Sequence, residues 1–91
     1  MTKVSFPDPP GWDGALHAVM FHALIGGSVQ VACLVSSAVL RDRFAALAPD
    51  PTSCLEAFRL NRHRIEEIAV RLIQMRRFEA DGSILIRAGD V

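Results

Sequence analysis

The chain is predicted to form a small α+β domain, a small antiparallel sheet with two helices packed on one face, in the order β-β-β-α-α-β. Three observations carry this expectation. Two apolar runs rich in β-branched residues, Ala15 to Leu24 and Val29 to Val35, flank Gly26-Gly27 and read as a hairpin. Leu55, Phe58, Ile65, Ile68, Ala69, Leu72 and Ile73 fall within one stripe at helical spacing. The 91 residues, 51% hydrophobic and 22% charged, suffice for one modest core, so residues 1–91 are taken as a single domain.

The elements follow in order. Lys3 to Phe6 alternates polar and apolar residues and predicts a short first strand. Asp8-Pro9-Pro10-Gly11 breaks it, because proline lacks the N–H a sheet ladder needs. Trp12 then pins a loop onto the core. For the hairpin, a three-residue loop at Ile25 to Gly27, with a glycine left-handed, gathers Val19, Phe21, Val31, Cys33 and Val35 on one face. The other face holds Met20, His22, Leu24, Gln30, Ala32 and Leu34, half of it apolar, and calls for partial cover by another element or a second subunit. The Pro-rich N-terminal segment with Trp12 is the alternative cover.

Ser36 or Ser37 caps a first helix running to about Ala48 through Val39, Leu40, Phe44 and Leu47, and Pro49 and Pro51 stop it. Asp50 or Ser53 caps a second, the latter with Glu56 as a capping box, running to about Met75 or Arg77. Asp81-Gly82 turns into a final strand, Ile84 to Arg87. Val19, Phe21, Val31, Cys33, Val35, Phe44, Phe58, Ile65, Leu72 and Ile84 form the expected core.

Composition narrows the function classes. Ten basic and ten acidic residues leave no net charge, so no global field draws the chain to nucleic acid or a membrane. Two cysteines are too few for a disulfide scaffold. The opening MTKVSFPDPPGW has prolines where a signal peptide needs an apolar run, and no stretch of eighteen apolar residues occurs. The expected location is cytoplasmic, with free thiols and no membrane contact.

The order and spacing of several short motifs add a family reading. Trp12-Asp13, Val19-x-Phe21, the Gly-Gly turn, Cys33-x-Val35-Ser36, Leu40-x-Asp42-x-Phe44, Ala57-Phe58, Ile65-Glu66 and Asp81-Gly82-x-Ile84 together resemble the small bacterial family catalogued as domain of unknown function 1488. The likeness spans nearly the whole chain. It implies a compact α+β fold and a bacterial cytosol. It implies no established activity and no defined catalytic residues, so none is carried over; some members are labelled regulators.

The chemistry in the residues is thin. A Cys33 pair with His17 or His22 is the one thiol arrangement to weigh, but a cysteine among strand valines is an inert core residue. Cys33, Cys54, His17, His22 and His63 form no CxxC or HxxxH spacing, so no metal site is expected. Glu66 and Glu67 diverge by about 100° on a helix and share no site. Phosphate-loop and serine-hydrolase motifs are absent, and no cofactor is expected.

The strongest positive signal is basic. Residues 41–77 carry eight arginines against five acids. The run Arg59-x-x-Arg62-His63-Arg64 stands out; on the helical wheel Arg59, His63 and Arg77 group together, Arg64 and Arg71 sit further round, Glu66 and Glu67 dilute both groups, and Asn61 falls within the apolar stripe. The expectation is therefore a non-enzymatic binding or accessory protein, pairing with itself as a homodimer or with another protein. A nucleic-acid-associated transcriptional regulator using the arginine helix is one alternative, and a small enzyme with a site near Trp12 is another. The candidate binding surface comprises Trp12, His22, Gln30, Arg59, Asn61, Arg62, His63 and Arg77, with no catalytic or metal-ligating residue.

Overall fold

A computed structural model describes residues 3–91. Met1 and Thr2 lie outside them. The hairpin forms first in the logic of the fold. Strand β3, Ala18–Ile25, pairs antiparallel with β4, Val29–Ser36, setting Val19 opposite Val35, Phe21 opposite Cys33 and Ala23 opposite Val31. All six are buried, and they are the face gathered by the three-residue-loop reading. The loop itself is Gly26-Gly27-Ser28, one position later than expected, because Ile25 pairs with Val29 inside the sheet. Parity is unchanged, so no side chain changes face. Both glycines take positive φ, 61° and 76°, conformations that a Cβ would strain.

The expected loop around Trp12 is a strand. Strand β2, Gly11–Asp13, pairs with one end of β3, and β1, Val4–Ser5, pairs with the other end. The turn between β2 and β3 is held by the Asp13 carboxylate, whose Oδ1 accepts from the Ala15 and Leu16 amides at 3.0 Å each. That turn ends in His17 at φ 49°, so β3 starts at Ala18 rather than Ala15. Trp12 lies opposite Val19 and packs against the core, and Phe6 meets Phe21 with ring centroids 5.8 Å apart. The N-terminal segment thus extends the sheet along the edge of β3, with Phe6 and Trp12 packed against the core, and the alternative in which it covers the other face is corrected.

Three helices follow. Helix α1, Ser37–Arg43, is capped by Ser36 Oγ, which accepts from the Val39 amide at 3.2 Å. It stops well short of Ala48. A proline at 49 would clash with the Ala45 carbonyl in a continuing helix. Ala45 instead turns left-handed, φ 59°, which drops Phe44 and Ala46 into the core and leaves Leu47 93% exposed. Helix α2, Pro51–Leu60, is capped by Asp50, whose Oδ1 accepts from the Ser53 amide at 2.7 Å. The Ser53–Glu56 box does not form, because Glu56 pairs with Arg59.

The predicted long helix is two. Asn61, with φ −117° and ψ 19°, separates α2 from α3, Arg62–Gln74. Its Nδ2 donates to the Ala57 carbonyl at 2.9 Å and to the Phe44 carbonyl at 3.4 Å, inserting a side chain where a straight helix has only backbone. The bend keeps both halves of the stripe on the core, with Phe58 and Ile65 both fully buried. Helix α3 is closed off past its end by Arg76 at φ 55°; the Arg77 amide reaches back to the Leu72 carbonyl and the Arg76 amide to Ile73, each at 3.0 Å.

The last strand, β5, Ile84–Ile86, runs parallel to β4, with Cys33 opposite Ile84 and Val35 opposite Ile86. The sheet is thus mixed where it was expected to be antiparallel throughout. The helical crossover permits this, since a connection that long can return the chain in the same direction. A short 3-10 turn, Ala88–Asp90, follows. The architecture is a sheet ordered β1-β3-β4-β5, with β2 on the outer edge of β3 and three helices on one face.

All ten expected core residues are buried. Phe58 is fully enclosed, its ring centroid 4.9 Å from that of Phe21, so it joins α2 to the hairpin. Phe58→Ala will lower stability by about 3–5 kcal/mol in a urea melt; a loss under about 1 kcal/mol would contradict this packing. Ala45→Gly will raise stability by about 0.5–1 kcal/mol, since glycine relieves the left-handed strain at some cost in chain entropy. The same melt reads it, and a destabilised Ala45→Gly protein would show that the strain is not there.

Candidate binding surface

The two sheet faces differ completely. Beneath the helices the central strand positions, Val19, Phe21, Ala23, Val31, Cys33 and Val35, are apolar and buried, and only Val29 at the hairpin end of that face is exposed. On the opposite face lie Met20, His22, Leu24, Ala32, Leu34 and Leu85, all partly accessible, with Gln30 exposed near the hairpin end. Cross-strand register sets Met20 opposite Leu34, His22 opposite Ala32 and Leu24 opposite Gln30, and Leu34 opposite Leu85. These side chains cover one another in pairs, which is why none is fully exposed. No ionised carboxylate, lysine or arginine interrupts the six.

One end of this face is concave. The turn 79–82, closed by the Glu79 amide on the Ser83 carbonyl at 2.8 Å, rises beside the sheet. With Leu16 it encloses a hollow of about 560 Å³ whose floor is Ala18, Leu34 and Leu85. Its rim carries two carboxylates. Glu79 pairs with Arg87 at 3.0 Å. Asp81 accepts from the Ser83 hydroxyl at 2.6 Å and its amide at 3.0 Å, bonds that hold its pKa below the ordinary carboxylate value. Leu85 and Leu16 were not singled out by sequence, and Asp81 was read only as a turn residue. The alternation Ile84-Leu85-Ile86 marks Leu85 as facing away from its neighbours, but only the parallel register puts it beside Leu34.

The expected surface residues divide between two places. His22 and Gln30 lie on the open sheet face. Trp12 lies on the helix side, edge-on to His17 with ring centroids 6.4 Å apart. The basic residues sit on α2 and α3, and most serve the fold itself. Arg59 pairs with Glu56 at 2.6 Å and His63 with Glu67 at 2.8 Å. Arg62 pairs with Glu66 at 2.7 Å and also donates to the carbonyls of Phe6 at 3.3 Å and Asp8 at 3.1 Å, tying the N-terminal segment to α3. Asn61 is spent on the helix bend. Beyond the named set, Arg64 lies 5.4 Å over the Phe44 ring, and Arg71 donates to the Asp90 carbonyl. Arg77 is exposed, and among the described residues neither it nor Arg76 has a side-chain partner.

Thiol and metal chemistry find little here. His17 lies in the turn before β3, outside the strand that carries the Cys33 partner, and Cys33 is opposite Phe21. His22 is on the opposite side of the sheet. Both cysteines are free and buried. Burial pushes the Cys33 thiol up to about 12; Cys54 is also raised, by desolvation and then by the Asp50 charge. No group of three His, Cys, Asp or Glu side chains that could hold a metal occurs among the described residues. Likewise no helix among them is long and apolar enough to cross a membrane.

Comparison with known proteins gives a consistent outcome. Residues 4–86 match the family model described as "Protein of unknown function (DUF1488)". Among solved structures, the chain is similar to a protein of unknown function from the DUF1488 family of Shewanella loihica PV-4, with a TM-score of 0.84 and 28% identity over 91% of this chain and 90% of that one. No curated protein matches.

The Cys33 environment gives a test. A raised folded-state value means that folding holds a proton the unfolded chain releases above its ordinary value of 9.0. The protein will therefore keep its full stability from this group below pH 9.0 and lose it progressively toward about 12. Near neutral pH both thiols will react with a maleimide only as fast as the chain opens, and at once in urea. Rapid stoichiometric labelling of Cys33 in the native protein would contradict the burial.

Proposed function

The chain belongs to the DUF1488 family of proteins of unknown function, and from that premise we propose that it is a non-enzymatic binding module whose working surface is the open face of the sheet. The observation that carries this reading is the apolar, uncharged strip of Met20, Leu24, Ala32, Leu34 and Leu85 on a sheet whose helices all lie on the other side. Side chains of that kind without a covering layer favour association, because pairing removes them from water.

The arginine helices support the alternative less well. A phosphate-binding surface needs guanidinium groups free to meet the backbone. Here Arg59, Arg62, Arg64 and Arg71 are engaged within the chain. Releasing Arg62 and Arg71 would break ties to the N-terminal segment and the C-terminal turn. His22, in the middle of the strip opposite Ala32, and Gln30, at its hairpin end, contribute hydrogen-bonding groups among the apolar ones.

Capture from native cell extract, with nucleic acid digested in one half, separates the readings. Recovery of a partner should survive digestion and be lost with Leu34→Asp. It should be indifferent to Arg59→Ala. Recovery abolished by digestion, or by Arg59→Ala and Arg77→Ala with Leu34 intact, would overturn the sheet-face reading in favour of nucleic acid.

A further inference from the structure

We propose that the hollow at one end of the open sheet face, between Leu16 and the turn 79–82, binds a small aliphatic amine, its apolar body on Leu34 and Leu85 and its ammonium group on the Asp81 carboxylate. This names a ligand for part of the surface proposed above and rests on that reading.

Shape is the first argument. The hollow measures about 560 Å³, inside the range of about 300–1,000 Å³ that small-molecule sites occupy. Its floor is apolar, and Leu16 on one wall is 58% exposed. An aliphatic body laid there takes these side chains out of water. Both walls are braced by the chain itself. The Leu16 amide donates to Asp13 Oδ1, and the opposite turn is closed by the Glu79 amide on the Ser83 carbonyl. The hollow therefore does not have to be built when a ligand arrives.

Charge is the second. The two charged residues that line the hollow, Glu79 and Asp81, are both acidic. Glu79 is spent, since its two oxygens accept from Arg87 at 3.0 and 3.3 Å. Asp81 is not. Both bonds from Ser83 fall on Oδ1, and the described residues give Oδ2 no partner. One uncompensated negative charge beside an apolar floor is complementary to one positive charge on an apolar body. The lining includes no aromatic ring among the described residues, so a hydrogen bond rather than a ring face must hold the cation. That selects a primary or secondary amine over a quaternary one. Asp81 is exposed, so its ion pair adds selectivity more than strength.

Titration of hexylamine into the full chain near neutral pH, followed through backbone amide shifts in NMR, tests the assignment. The shifts should saturate and concentrate at Leu16, Leu34 and residues 79–85. Hexylamine should bind about threefold tighter than hexanol, and hexanoate more weakly than either. Asp81→Asn keeps an oxygen for Ser83 to donate to and should bring hexylamine down to the affinity of hexanol. Leu85→Ser should weaken both. Glu67→Gln, on α3, should change neither. Shifts that never saturate overturn the proposal, as does hexylamine binding that matches hexanol or is undiminished in Asp81→Asn. Nα-acetyl-lysine amide carries the same ammonium on a peptide backbone; if it binds tighter than hexylamine, the occupant is a side chain of a protein and the assignment to a free amine falls. No amine binding, with capture from extract still lost in Leu34→Asp, overturns the ligand alone and leaves the sheet-face reading standing.

Discussion

The antiparallel pairing of β3 with β4 fixes nearly everything else in this molecule. With a side-chain period of two, one register places Val19, Phe21, Ala23, Val31, Cys33 and Val35 on a single face. A slip by one residue would bury His22 and Gln30 and expose Phe21. The two left-handed glycines at the turn hold that register, and the helices have only one apolar surface on which to settle. Phe58 from α2 meets Phe21 there, and α3 lies over β5. The mixed sheet follows from the same arrangement, since the chain has crossed the helical layer before it returns.

A one-sided sheet of this size leaves its second face to solvent or to a partner. Three helices beneath and none above is a stable arrangement for the chain only because the upper side chains shelter one another across strands. That mutual cover lowers the exposure of each without removing the strip as a whole. The binding reading depends on this asymmetry, and so does its uncharged character: every arginine that sequence placed in the middle third lies on helices or loops away from the centre of the strip.

Those arginines also show how a charge pattern can mislead. Their number implies a basic surface, whereas the fold uses many of them as ties. Arg62 holds the N-terminal segment through two backbone carbonyls, Arg71 holds the C-terminal turn, and Arg87 braces the rim loop through Glu79. Such contacts join parts of the chain that are far apart in sequence. No helical wheel contains that information, because a wheel knows only neighbours on one helix.

Sequence alone determined the fold class, the ten core residues and the two sheet faces, all of which rest on local periodicity: period two in strands, 3.6 in helices, and glycine or proline where the pattern stops. Tertiary structure decided what periodicity cannot express. Asn61 divides the long stripe because its amide finds the Phe44 carbonyl, seventeen residues away. Trp12 joins the sheet on the core side because β2 pairs with β3. Leu85 reaches the open face because β5 enters parallel to β4, and only then do Leu34, Leu16 and Asp81 surround one hollow. Each of these depends on which distant segment is opposite, a choice made by the whole core at once rather than by any window of neighbouring residues.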